Sequence, residues 1–154
     1  MKIRGFEIVS NEKRLFKDCD IQLPQRGDDR SCGYDLRTPV KIVLQPNERK
    51  LVFTDVKVYM QSDEVVKLYV RSSIGAKLGI VLSNGTGIID SSYYNNSDND
   101  GNLGMALWNT SDNVVTLEAN ERICQAVFEK YLIADNDTCI NSERKGGFGS
   151  SGRK

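Results

Sequence analysis

Leu51-Val-Phe-Thr-Asp-Val-Lys-Val-Tyr59 and Val65-Val-Lys-Leu-Tyr-Val70 decide the reading of the fold. Both runs are dense in β-branched and aromatic residues, which suit a pleated, half-buried surface, and each reads as one strand. Working outward, Leu103-Gly-Met-Ala-Leu-Trp108, Val114-Val-Thr-Leu117 and Ile123-Cys-Gln-Ala-Val-Phe128 have the same character. Polar clusters fall between them: Gln61-Ser-Asp-Glu64, Asn109-Thr-Ser-Asp-Asn113 and Glu118-Ala-Asn-Glu121. Strand, turn and strand in this rhythm predict an all-β sandwich or barrel built from antiparallel hairpins rather than βαβ units. Helix is scarce. The one short helix expected is Ser73-Ile-Gly-Ala-Lys-Leu78, with Ser72 or Ser73 as its N-cap.

The 154 residues, 39% of them hydrophobic, suffice for one domain with a modest core. Twenty-one Lys and Arg balance twenty-one Asp and Glu. No whole-molecule field therefore draws the chain to nucleic acid or to an anionic membrane, and any phosphate binding must be local. The opening residues, Met1 to Ser10, lack the apolar stretch of a signal peptide, and no later run has the length of a membrane span. A cytoplasmic protein is expected. Cys19, Cys32, Cys124 and Cys139 are scattered without a Cys-x-x-Cys pair and read as free thiols. The chain has no histidine, which excludes Ser-His and Cys-His nucleophilic machinery. Hydrolysis, if catalysed, must rest on carboxylates, a metal ion, or both.

Four segments carry residue types suited to chemistry. Arg71-Ser-Ser73 lies between a strand and the short helix, so a guanidinium, hydroxyls and first-turn N–H groups can converge on a phosphate; a surface arginine before an ordinary cap is the alternative. Asn84-Gly-Thr-Gly-Ile-Ile-Asp90 raises a carboxylate at the end of a glycine-rich turn, where partial burial would raise its basicity and a nearby metal would lower it; a turn aspartate is the plainer alternative. Tyr93 and Tyr94 follow in what should be extended backbone, one on each face, so only one can line the same pocket as Asp90. Gln125 sits in an apolar strand, where a buried amide needs a partner such as a phosphate or an ordered water. The loop Asn95 to Asn102 superficially suggests calcium, but Leu107 stands where the bidentate Glu belongs, and a hairpin turn is the better reading. Last, Arg144-Lys-Gly-Gly-Phe-Gly-Ser-Ser-Gly-Arg-Lys154 is either a flexible end or linker, or a lid that orders around a phosphate chain while Phe148 stacks on a base.

Taken in order, Cys32-Gly-Tyr-Asp-Leu36, Arg71-Ser-Ser73, Asn84-Gly-Thr-Gly-Ile-Ile-Asp-Ser-Ser-Tyr93, Glu121-Arg-Ile-Cys-Gln125 and Arg144-Lys-Gly-Gly-Phe-Gly-Ser-Ser-Gly152 resemble the five motifs of the homotrimeric dUTPase family. Each is weak alone; five in order are specific. The resemblance implies a jelly-roll-like β domain over residues 1–143 and an arm, residues 144–154, that closes over the active site. It implies three chains sharing three sites, and Mg²⁺-dependent hydrolysis of dUTP to dUMP and pyrophosphate, which keeps uracil out of DNA and supplies dUMP for thymidylate synthesis.

By the same resemblance Asp90 activates the attacking water, with Gln125 on that water or a phosphate. Tyr93 lies against the deoxyribose and excludes a 2′-hydroxyl. Asn84, Gly87 and Ile89 belong to the base-reading turn, and Arg71, Ser72 and Ser73 to the phosphate site. Asp35 helps hold the metal's water shell, while Arg144, Phe148, Gly149, Ser150 and Ser151 form the closing arm. Three departures stand out: Tyr94-Asn-Asn-Ser-Asp-Asn-Asp-Gly replaces a shorter segment, Arg144 stands one residue nearer Gly-Gly, and Ser73 and Cys32 replace Gly and Ala. A dCTP deaminase is disfavoured because Ser91 to Ser97 holds no Glu. A dUTPase-like regulatory protein whose main role is to bind a protein partner, through the Asn95 to Asn102 loop, is the rival from another class.

Overall fold

The computed structural model describes residues 1–140 and Gly146. The expected roles of Arg144, Phe148, Gly149, Ser150 and Ser151 lie outside these residues. In chain order the strands are β1 (Gly5–Ile8), β2 (Gln25–Arg26), β3 (Tyr34–Arg37), β4 (Ile42–Leu44), β5 (Arg49–Phe53), β6 (Val56–Tyr59) and β7 (Glu64–Val70). Helix α1 (Ser72–Leu78) follows, then β8 (Ile80–Leu82), β9 (Gly87–Asp90), a 3₁₀ turn (Ser91–Tyr93), β10 (Gly104–Asn109), β11 (Val115–Leu117) and β12 (Arg122–Lys130).

The all-β expectation holds, and its connectivity is the correction. Strands pair antiparallel in the orders β2-β3-β12-β7-β9, β5-β10-β8, β1-β6 and β11-β4. Among the described residues only β2 and β3 are sequence neighbours that also pair; the expected hairpins at 61–64, 109–113 and 118–121 join strands of different sheets. The polar clusters are chain crossings between layers, as a jelly roll requires. Local alternation signals a strand but carries no information about its partner. Leu36, Leu44, Leu68, Ile80, Leu103, Met105, Leu107, Leu117 and Ile123 are fully buried between the layers.

The run from Leu51 to Tyr59 is two strands, because Asp55 adopts a left-handed φ of 56°. A non-glycine residue holds that conformation only where its surroundings determine it. Here the fully buried Asp55 carboxylate accepts hydrogen bonds from the backbone N–H of Leu15 (3.0 Å) and Phe16 (2.8 Å) and from Asn102 Nδ2 (2.9 Å). The Arg14 guanidinium stands 3.6 Å away, and Asp55 N–H donates to Asn102 Oδ1 at 2.9 Å. One carboxylate thus fastens the N-terminal segment and the loop before β10 to the centre of the fold.

Helix α1 begins one residue earlier than expected. Arg71 occupies the N-cap with extended backbone and no side-chain cap bond, so neither serine caps it. Gly79, at φ 67°, closes it in the left-handed conformation. All four cysteines are free, and burial pushes the Cys124 thiol up to about 12, which keeps it protonated and inert at neutral pH. Among the described residues no helix is long and apolar enough to cross a membrane.

Asp55→Asn keeps a residue tolerant of positive φ but turns one acceptor into a donor facing other donors. At fixed protein concentration it is expected to lower unfolding stability by about 1–3 kcal/mol, read from the urea midpoint at unchanged slope. An unaltered midpoint would contradict the fastening role.

Candidate active site

Two separate concavities hold Asp35, Arg71, Ser72 and Gln125, and Asn84, Gly87 and Ile89, respectively; Ser73, Asp90 and Tyr93 line neither. The first is a cavity of about 290 Å³ lined by Gly27, Asp28, Ser31, Gly33, Asp35, Arg71, Ser72, Arg122 and Gln125. Arg71 enters it because it directly follows β7 and caps α1; its backbone N–H donates to Ile123 O at 2.9 Å. Asp35 on β3 faces Gln125 on β12, and Gln125 faces Tyr69 on β7. Cross-strand partners share a face, so Asp35 and Gln125 point the same way.

A bulge makes this possible. The pairing of β12 with β3 shifts between Arg122 and Cys124, and the consecutive residues Ile123 and Cys124 are both fully buried. The extra residue resets the alternation, leaving Arg122 before it and Gln125 after it on the cavity. Gly33 then makes room: a Cβ there would sit 2.2 Å from Gln125 Oε1. The Arg71 guanidinium holds Asp35 Oδ1 at 3.0 Å and Arg122 holds Oδ2 at 3.2 Å. Two cationic groups are therefore fixed at the rim by a carboxylate between them, with Ser72 beside Arg71. This is the chemistry of a polyanion site.

The second is a small recess of about 40 Å³ lined by Leu68, Leu82, Asn84, Gly87, Ile88, Ile89, Gly104 and Ala106. Gly85, at φ 75°, turns the chain from β8 into β9, and a Cβ on Gly87 would come within 2.9 Å of Leu68 Cβ. Along β9 burial alternates, with Gly87 and Ile89 inward and Ile88 and Asp90 outward. Asp90 is exposed within one chain, so the partial burial expected for it does not come from its own fold.

Tyr93 and Tyr94 depart from expectation. Tyr93 ends the 3₁₀ turn rather than lying in extended backbone, and it is buried. Its hydroxyl donates to Asn102 O at 2.7 Å. Tyr94 packs away from the recess, and its hydroxyl donates to Glu7 Oε2 at 2.6 Å; that bond, with burial, pushes its phenol up to about 12. The loop from Asn95 to Asn102 is not a hairpin turn, since β9 and β10 lie in different sheets.

The structure brings together Asp35, Arg71, Ser72 and Gln125, while Ser73 does not line the cavity. It does not bring Asp90, Asn84, Gly87, Ile89 or Tyr93 to them. Asp90 pairs with Val65 near the start of β7, whereas Arg71 follows its last residue. Six residues at about 3.3 Å each put the two about 20 Å apart along the strand. Arg122 belongs to the motif Glu121 to Gln125, whereas Gly27, Asp28 and Ser31 come from a segment with no role assigned from the sequence. The available signal was Gly27-Asp-Asp-Arg-Ser31, an Asx turn in which Asp28 Oδ1 accepts from Arg30 and Ser31 N–H, both at 2.8 Å; these bonds hold its carboxyl below the usual range.

Residues 20–152 match the family described as dUTPase. A deoxyuridine 5'-triphosphate nucleotidohydrolase of Lactococcus lactis subsp. lactis is 44% identical over 153 residues, 99% of each chain. One from Actinobacillus succinogenes is 36% identical over 139 residues, 86% of this chain and 88% of that one. Among solved structures, the dUTPase from Streptococcus mutans superposes with a TM-score of 0.76 at 39% identity, covering 86% of this chain and 99% of that one. A Staphylococcus bacteriophage 80alpha dUTPase with dUPNHPP follows at 0.70 and 25% identity, covering 99% of each chain. Fold, motif order and full-length likeness agree: the chain belongs to the dUTPase family.

Proposed function

We propose that this chain hydrolyses dUTP to dUMP and pyrophosphate. The observation that carries the reading is the cavity in which Asp35 holds Arg71 and Arg122 beside Ser72 and Gln125, in a chain 44% identical to a deoxyuridine 5'-triphosphate nucleotidohydrolase along its length. The arginines neutralise the triphosphate, and Ser72 and Gln125 donate hydrogen bonds to its oxygens or to the attacking water. Asp90 takes the proton from that water as its oxygen bonds to the α-phosphorus and the bond to the bridging oxygen breaks, releasing pyrophosphate. Neither a covalent nucleophile nor a histidine is required.

Mg²⁺ fits this arrangement as a partner of the phosphates. Both Asp35 oxygens are engaged by arginines, so Asp35 would help hold the ion's water shell rather than the ion itself. When bound, the ion supplies charge neutralisation at the triphosphate. Asn84 and the backbone around Gly87 and Ile89 read the base, Tyr93 lies against the sugar, and the arm of Arg144, Phe148, Gly149, Ser150 and Ser151 closes over base and terminal phosphates.

The working unit is a trimer with shared sites. What supports this is the separation of about 20 Å along β7 between Asp90 and Arg71, too long for one triphosphate's reacting end to bridge within a chain. The chain beyond β12 adds a second support: Leu132 and Ile140 are almost fully exposed and Ile133 is 67% exposed, apolar surface suited to a neighbouring subunit.

Purified protein with Mg²⁺ is expected to release pyrophosphate from dUTP and to spare dTTP, dCTP and UTP, with loss of activity on chelation. Equal release from UTP would sink the role of Tyr93, and an active Asp90→Asn enzyme would remove the base. Gly33→Ala, which forces the Gln125 amide out of place without touching the core, is expected to lower kcat roughly 100-fold at unchanged thermal stability. Wild-type kcat would contradict the placement of Gln125.

A further inference from the structure

The stretch from Asn95 to Asn102 is the segment in which this chain departs most from the motif pattern, and its asparagines converge on Tyr93. Asn99 Nδ2 donates to Tyr93 Oη at 2.7 Å, and Tyr93 Oη donates to Asn102 O at 2.7 Å. Asn96 Nδ2 donates to Tyr93 O and to Asn99 Oδ1, both at 2.8 Å, while Asn96 Oδ1 accepts the N–H of Asp98 and Asn99 at 3.0 Å. Gly101 N–H closes the set on Asn99 Oδ1 at 3.1 Å. A Cβ on Gly101, at φ 87°, would stand 2.9 Å from Tyr93 O.

The loop is itself fastened to the sheet. Lys57 Nζ donates to Asn95 Oδ1 at 2.7 Å and to Asp100 Oδ2 at 2.9 Å, and Ser10 N–H donates to the same Asp100 oxygen at 2.8 Å. Asn102 is locked to Asp55 by two bonds of 2.9 Å. The phenol hydroxyl of Tyr93 is therefore held from both sides by groups that cannot retreat.

That matters for selectivity. A pocket wall that merely lacks a partner rejects an added hydroxyl weakly, about 100-fold, because the wall or the ligand can shift. Strong exclusion of a 2′-hydroxyl needs a ring that does not yield. We infer that Asn99 is a positioning residue for sugar selection, fixing the depth of the Tyr93 ring through its hydroxyl. The inference rests on the reading of Tyr93 as the wall against the deoxyribose.

The test is the ratio of kcat/KM for dUTP to that for UTP. Tyr93→Phe keeps the ring and loop but removes the anchored hydroxyl, and it is expected to lower the ratio at least tenfold, chiefly through increased UTP turnover. A gain of UTP turnover cannot come from damaged folding. Asn99→Ala should move the ratio in the same direction, and the double variant should be no worse than Tyr93→Phe alone, since the bond from Asn99 is one of the two that Tyr93→Phe removes. Tyr93→Ala separates the two claims. If Tyr93→Ala leaves the ratio unchanged, the sugar-wall reading fails and this inference fails with it. If Tyr93→Ala collapses the ratio while Tyr93→Phe keeps it, the wall stands and the positioning role is overturned. Should Asn99→Ala not fold, Asn99→Ser, whose shorter side chain does not reach Tyr93 Oη, decides by the same ratio.

Discussion

The geometry of the proposed site depends on the register in which β9 and β12 pair with the two edges of β7. Val65 opposes Asp90 and Tyr69 opposes Gln125, so the proposed base and the phosphate-side amide share one face of one sheet at opposite ends of one strand. Register is strongly specified here because the other face is core: Val66, Leu68 and Ile89 are buried beside the exposed Asp90. A slip of one residue would exchange Asp90 with Ile89 and bury a charge where a side chain of the core belongs. The hydrophobic effect thus sets the chemistry's geometry without touching the substrate.

The same logic of fixed placement recurs around Asp55. Asp55 turns one long apolar run into two strands, holds Asn102, and through it the loop that grips Tyr93. Buried polar groups that satisfy one another are rigid, since each lost bond leaves an unpaired group in a low-dielectric interior. The polar ladder is therefore a device of position as much as of stability, and it links the N-terminal segment, the start of β6 and Tyr93.

Much of this was legible in the sequence, and the failures have physical reasons. Strand character at Val65 to Val70, Leu103 to Trp108 and Ile123 to Phe128 is local chemistry and survives in the fold. Partner choice is not local, which is why polar clusters that resembled hairpin turns are crossings between sheets. Asp55 hid within an alternating run because its role depends on Leu15, Phe16 and Asn102, distant in the chain. Asp35, Arg71, Ser72 and Gln125 were found as members of ordered motifs and do meet in one cavity, whereas Gly27, Asp28 and Ser31 arrive from a segment with no such pattern. The separation of Asp90 from Arg71 follows only from register, which no reading of single motifs supplies.

The central claim is that one working site takes its carboxylate from one chain and its arginine from another. Subunit mixing tests it most directly. Asp90→Asn and Arg71→Ala proteins, each inactive alone, are denatured, combined and refolded together, and pyrophosphate release from dUTP is measured. The account predicts activity well above either parent refolded alone, because some interfaces then pair an intact Asp90 with an intact Arg71. A mixture as inactive as its parents, with mixed trimers demonstrated by mass, would contradict it.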